Sequence, residues 1–478
     1  MNSVLSLMVM LPLFGMLFVL TAKEETAFAG KISVGRNSSN VAIFTIIANL
    51  VIIWRAFMLL NEKQIKLQLF EKFNWLAVPD INLVFAVDNM SMMLILALHL
   101  VILMGVVFVR GTTEKQKSLM VFTLLFLSMT TGLFVAADIF SFFIFFEAML
   151  TPLFMLIGMF GGFKKTWRLG GFFIYHFIGA LILFVGVLLI YKYYGSLTLD
   201  KVNSILWKKN NGWLIWGALA FGFISRLPIW PFHYWTASIT SKLHNPLLFI
   251  ASSILPLSGI YGLVRFWPKY IPTEVSNYFV WMYIIGTVSM LFISLIGFIH
   301  KEAQYKIFAF VTVYYIMYLL GLFSRDKIIA MNIGYALFGF LIIFSALETL
   351  TAYIYWQEQR HNSSAAGFLC RAKRLSLLYS FLTFAAIGFP VSAMFTNNFL
   401  ILSQLLSVHF QMGGIMVISC IIASASLISE MFKLKEDSKE CLLGKEEDLS
   451  LGQFIFMMFI VFMLLMSFIR PLWFVVNE

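Results

Sequence analysis

Along this chain the hydrophobic positions come in runs of roughly 20 residues, the length an α-helix needs to cross the hydrocarbon core of a bilayer. The runs fall at 3–22, 41–60, 83–109, 119–137, 139–161, 171–194, 213–235, 246–267, 278–299, 306–323, 328–355, 375–407, 412–432 and 452–476. They are too long and too uniformly apolar for the alternating strands of a barrel. The pattern predicts an all-α polytopic membrane protein with about fourteen transmembrane helices. The longest polar stretches, 23–40, 61–82, 192–212, 356–374 and 433–451, are read as loops. The first run has no basic leader and no small-residue cleavage site, and is read as a retained helix.

Two runs carry prolines that should break a helix, because proline lacks a backbone donor and clashes with the preceding turn. They are Pro228 and Pro231 in one run, and Pro390, just after Gly388, in another. Paired broken helices in the two halves of a membrane protein point to an inverted-repeat transporter core. The chain is therefore divided into a three-helix segment at 1–118, five-helix repeats at 119–267 and 278–432, and a terminal helix at 452–478.

Composition agrees with this picture: 61% of residues are hydrophobic and 12% charged. The net charge of +11 is read as loop Lys and Arg fixing topology, not as a nucleic-acid surface. Lys and Arg are more frequent in the loops after odd-numbered spans, which places those loops inside and both termini outside. Cys370, Cys420 and Cys441 are far apart in sequence and show no metal-ligand spacing, so neither a disulfide framework nor a metal site is expected. No phosphate-cradling glycine motif or zinc-protease motif occurs.

Candidate chemistry concentrates at Glu147, alone in the middle of an apolar run. A charge at the centre of a membrane helix costs roughly 2.5–3.5 kcal/mol on insertion scales, so it usually faces an interior and has a partner. Arg226, beside the expected break at Pro228, is the basic residue best placed to be that partner. Asp138 lies nine residues before Glu147, roughly 13 Å along a helix, as a helix cap or an interfacial acid. Asp88, near the start of the third run, is a helix-start acid or a functional one. His176 reads as a packing residue or a proton carrier. Glu348, about two turns from the end of its run, is interfacial or functional. Lys306 opens the run holding Tyr314, Tyr315 and Tyr318. Arg55 lies near a span end, where snorkelling explains it.

Several segments then resemble the antiporter-like subunits of respiratory complex I, most closely the chain 4 or M-type members. These are DNMSMMLILALHL, ADIFSFFIFFEAMLTPLFMLIG, SRLPIWPFHYW, IYGLVRF, KIFAFVTV and GFPVSAMFTNNFLILSQL. The likeness covers about residues 83–410. It implies a proton-translocating unit of a membrane arm, driven at a distance by redox chemistry elsewhere; the alternatives are a structural subunit of that arm with impaired or lost proton conduction and a cation/proton antiporter subunit outside any redox complex. NADH, FMN, iron–sulfur clusters and ubiquinone are then expected in other subunits and none in this chain. The expected partners are the other membrane-arm subunits and lipids, with no nucleic acid. The resemblance implies that Glu147 is the family's buried glutamate, Arg226 stands for its lysine partner, and His233 is the histidine after the break. Two positions depart from the pattern: the family's central lysine falls on Leu257, and the ionisable residue of the second broken helix falls on Asn398. Tyr335 stands where a histidine of the central axis is expected. The proton-path candidates are thus Glu147, Arg226, His233, His176, Lys306, Tyr335 and Asn398, with Ser253 and Ser258 as supports for water. The abundance of Phe, Ile, Met and Asn suggests a mitochondrial inner membrane, with a bacterial plasma membrane as the alternative.

Overall fold

The computed structural model describes residues 3–23, 36–61, 67–76, 81–111, 115–161, 166–199, 202, 211–230, 233, 235, 245–266, 273–324, 327–361, 368–390, 392–435 and 448–469. Helices α1 (Val4–Thr21) and α2 (Arg36–Leu59) are followed by strands β1 (Gln68–Leu76) and β2 (Ile81–Val87). Then come α3 (Asn89–Val109), α4 (Gln116–Val135), α5 (Ile139–Ala148), α6 (Leu150–Phe160), α7 (Thr166–Tyr194) and α8 (Gly212–Ile224). The remainder is α9 (Pro246–Arg265), α10 (Thr273–Ile299), α11 (Ala303–Phe323), α12 (Lys327–His361), α13 (Phe368–Arg371), α14 (Lys373–Ile387), α15 (Ala393–Val408), α16 (Phe410–Lys435) and α17 (Leu451–Ile469). Among the described residues, 11 helices are long and apolar enough to cross a membrane, with Gly212–Ile224 and Leu451–Leu465 shorter. The chain divides into two compact units, one of residues 1–226 and 255–278, the other of 227–254 and 279–478.

The apolar runs explain which surfaces are hidden. On α7 the exposed residues Ile174, Ile178, Leu181, Val185 and Leu188 recur at three- and four-residue spacing, one helix face of pure hydrocarbon. Such a face suits a lipid environment. By contrast α11 is buried along its whole length, so its polar groups must be satisfied inside the protein.

One element departs from the all-helical expectation. Residues 68–76 and 81–87 pair as an antiparallel hairpin, with Glu71 opposite Phe85 and Asn74 opposite Asn82. The third span therefore begins at Asn89, not at residue 83. The reason lies in Asp88, which caps α3: its carboxylate accepts from Ser91 N at 2.8 Å, and the Ser91 hydroxyl accepts from Asp88 N at 2.9 Å. This reciprocal box starts a helix and ends the strand before it. The hairpin also serves its neighbours. The Glu71 carboxylate accepts from Leu5 N at 2.8 Å and Ser6 N at 3.0 Å, serving the open N-terminus of α1, where Ser3 makes no side-chain cap bond.

Both expected breaks are present. Helix α8 ends at Ile224, before Pro228, while Pro231 lies outside the described residues. Helix α14 ends at Ile387, and Gly388 closes it at φ 90°, a left-handed conformation natural to glycine. Pro390 follows, and α15 resumes at Ala393. A third interruption was not expected from the pattern: the run 139–161 is divided at Met149 into α5 and α6. Pro152 supplies a physical reason, since it leaves the Ala148 carbonyl without its helical donor. Cysteine spacing also misled. Cys370 is disulfide-bonded, because sequence distance does not limit approach in a folded chain, whereas Cys420 is free and buried. Cys441 lies outside the described residues.

Candidate functional site

Asp138 sets the start of the acid-bearing helix. Its carboxylate accepts from Phe140 N at 2.9 Å, Ser141 N at 2.8 Å and, from the hairpin, Val84 N at 3.0 Å. It is a cap, and its charge suits the positive end of the α5 dipole. Three turns on, α5 ends beside Glu147.

Arg226 meets it from the break after α8. Ser225 N donates to the Phe221 carbonyl and Arg226 N to the Phe223 carbonyl at 3.2 Å. Pro228 then forbids a further turn and holds Leu227 out of the helical region. Helix α9 can approach this break because residue 259 is glycine. A Cβ there would lie 2.5 Å from the Phe223 carbonyl oxygen and 3.1 Å from Arg226 Cβ.

The Arg226 guanidinium is fully buried, and its Nη2 is 3.5 Å from Glu147 Oε2. That is a charge contact without hydrogen-bond geometry, since Glu147 Oε2 makes no hydrogen bond. The same Nη2 donates to the Phe146 carbonyl at 3.1 Å, beside the interruption at Met149. The guanidinium also lies over the Phe146 ring, 4.1 Å from its centroid. The Phe146 ring in turn stacks on Phe142 and meets Phe223 edge-on, and Phe142 meets Phe223 edge-on. Arg226 Nε and Nη1 have no hydrogen-bond partner among the described residues. Glu147 remains 25% exposed, so this pair has one closed side and one open side. His176 is buried in the same unit, its ring edge-on to Phe172 and beside Tyr175.

The second unit holds the other candidates, and not at one point. Lys306 Nζ is 3.1 Å from Glu430 Oε2 and donates to Ser429 Oγ at 3.0 Å. Tyr318 Oη donates to Asn398 Oδ1 at 3.0 Å. Tyr315 Oη donates to the Ser253 carbonyl at 2.8 Å, and Ser253 Oγ donates to Glu348 Oε1 at 2.7 Å. Tyr335 is half-buried on α12, and His233 is half-buried against the Phe292 ring. Ser258, in the first unit, donates to the Leu255 carbonyl of its own helix. Leu257, a turn after Ser253 on α9, is fully buried.

Three further pairings carry no local signal in the sequence. Arg265 reaches Asp88, 177 residues away. Burial alone would push the Asp88 carboxyl up, but the Arg265 charge and the Ser91 hydrogen bonds outweigh it and hold the carboxyl below its ordinary value. Asn49 Nδ2 lies 2.9 Å from His99 Nε2, both buried. Glu430 takes Lys306. Each joins residues remote in sequence, and no local motif marks such a meeting.

Residues 136–424 match the family model described as NADH:quinone oxidoreductase/Mrp antiporter, TM. The chain belongs to this family. It is 24% identical to NADH-quinone oxidoreductase subunit M of Rickettsia prowazekii (strain Madrid E) over 455 residues, 92% of this chain and 88% of that protein. Its fold is similar to a chain of respiratory complex I from Thermus thermophilus with bound NADH, at TM-score 0.86 and 20% identity, over 99% of this chain and 97% of that one. It is also similar to a chain of the Mrp complex from Dietzia sp. DQ12-45-1b, at TM-score 0.79 and 14% identity, over 100% of this chain and 96% of that one. The matched region contains Glu147, Arg226 and Asn398. The hairpin and the first two helices lie before it.

Proposed function

We propose that this chain is a membrane-arm subunit of a proton-translocating NADH:quinone oxidoreductase, and that Glu147 and Arg226 form a proton-handling pair in it. The observation that carries the reading is the geometry of the pair: a buried guanidinium against a carboxylate that is partly open. Arginine stays protonated in proteins, so Arg226 supplies a fixed charge and Glu147 is the member that gains and loses a proton. Protonation cancels the attraction that holds the two side chains together. A carboxylate so placed couples proton arrival to a small rearrangement near Met149, where α5 and α6 are already divided.

His176, His233, Tyr335 and Tyr318 with Asn398 are candidates for the rest of the path, whereas Lys306 is engaged by Glu430. Asn398 hydrogen-bonds but does not titrate, and Leu257 does neither. Those two residues favour a second reading, in which the chain holds the arm together with weakened conduction. The partners on either reading are the other membrane-arm subunits and lipid. NADH, FMN, iron–sulfur clusters and ubiquinone are assigned to those partners, and no group of this chain to a redox cofactor. The membrane is assigned to the mitochondrial inner membrane on composition. The bacterial relatives from Rickettsia and Rhodobacter support a bacterial plasma membrane as the alternative.

The test uses the assembled complex in vesicles. Glu147→Gln is expected to leave electron transfer running while lowering the protons moved per NADH oxidised. An unchanged proton yield would remove the proton-handling role and leave the structural one.

A further inference from the structure

Among the described residues, the buried and half-buried acids considered above are compensated with one exception. Glu147 has Arg226, Asp88 has Arg265 and Glu430 has Lys306. Asp138 has backbone N–H groups instead. Glu348 has neither. It is 1% exposed and lies well inside the apolar stretch Asn332–Glu358 of α12, about 15 Å from that stretch's end at the rise of a helix. The apolar run ends about two turns after Glu348, but the helix continues farther, to His361.

Among the described residues no Lys, Arg or His pairs with Glu348. Its Oε1 meets the Ser253 hydroxyl at 2.7 Å, and its Oε2 is buried without a hydrogen-bond partner. Of the hydroxyls nearby, Tyr315 Oη donates to the Ser253 carbonyl, and Thr349 and Thr351 donate to carbonyls of their own helix, while Ser345 Oγ, one turn before Glu348, is buried and makes no hydrogen bond to it. A carboxylate needs donors at both oxygens and a charge to balance it, and here one hydroxyl, that of Ser253, meets it. A carboxylic acid fits better. Its O–H donates to Ser253 Oγ, and Ser253 then turns its single hydrogen to the Phe249 carbonyl, 3.1 Å away. Ser253 thus has two acceptors for one hydrogen, one setting for each charge state of Glu348.

We infer that Glu348 is a second proton-exchanging carboxyl of this chain, uncharged at rest, with Ser253 as the hydroxyl that turns to hold its charged form. On discharge the O–H bond of Glu348 breaks and its proton passes to a water, giving hydronium. The electron pair stays on the carboxylate, and Ser253 swings from Phe249 to donate to it. Recharging reverses each step. The assignment rests on the proton-translocating reading of the chain but does not require that Glu147 serve it.

Infrared spectroscopy of the assembled complex reads the resting state directly. A protonated-carboxyl stretch, shifted by deuterium, is expected in the native protein and lost in Glu348→Gln. Should that variant fail to assemble, Ser253→Ala keeps the acid and is expected to move the same band. In vesicles, proton yield per NADH is expected to fall in Glu348→Gln to the level seen in Glu147→Gln, with electron transfer retained. A band that persists in Glu348→Gln or stays unmoved in Ser253→Ala overturns the inference, as does a full proton yield in Glu348→Gln. The two proposals fail separately: a lowered yield in Glu348→Gln beside a normal one in Glu147→Gln removes Glu147 and keeps Glu348.

Discussion

Arg226 is held by three different contacts: a charge, a carbonyl and a ring. Removing one partner of a buried ion pair costs about 3–5 kcal/mol. Because Glu147 is one-quarter exposed, the cost of Arg226→Leu belongs at the lower end of that range. It should appear as a lower melting temperature of the solubilised complex, and an unchanged melting curve would deny the pair any structural weight. Arg226 and Glu147 were legible in the sequence because each is a charge stranded in an apolar run, which physical cost alone makes conspicuous. Asp88 was legible only by half. Its place at a helix start pointed to a cap, but nothing local announced Arg265. That contact has a pH signature. The folded carboxyl lies below its ordinary value of 3.8, so the stability it adds is present above that value and is lost as pH falls through the lower, folded one. Asp88→Asn should lower stability at neutral pH and flatten the acid limb below about pH 4. Thermal melts of both proteins across that range decide it.

At the scale of elements, prolines were good guides and strands were not. Pro228 and Pro390 mark real helix ends because a missing donor and a ring clash act whatever the surroundings. The hairpin escaped notice because 68–76 is a mixed polar segment, EKFNW among it, whose pairing depends on its partner strand and not on its own pattern. The start of β2, meanwhile, reads as the beginning of the next apolar run. Gly388 shows what a break demands of the backbone. At φ 90° with only the Phe395 backbone near, the difficulty of a side chain there is conformational and not spatial. Gly388→Ala should therefore cost about 1–2 kcal/mol, and Gly388→Asn, which tolerates the left-handed region better, should cost less. Equal losses in the two variants, read from thermal unfolding, would show that crowding governs the site instead.

For the whole molecule, the two compact units carry their buried charges differently. The first spends its basic residues on partly open acids, Glu147 and Asp88, each about one-quarter exposed or less. The second hides both members of Lys306–Glu430 and leaves Glu348 with a hydroxyl alone. Lys306 stands in the first turn of α11 and Glu430 in the last turns of α16, where Lys433 also reaches Glu430 at 3.5 Å. That position favours a brace between two helix ends over a relay group, and the pair allows a direct decision. Glu430→Met strands the buried Lys306 and should destabilise by about 3–5 kcal/mol, Lys306→Met leaves Glu430 only the half-exposed Lys433 and should cost less, whereas replacing a whole buried pair by apolar side chains is often neutral or stabilising. The double variant should thus recover the stability that each single one loses. With folding restored, proton yield in vesicles separates the roles. A yield kept in the double variant is the expected result and makes the pair structural. A yield lost despite recovered stability would place Lys306 among the groups that carry protons.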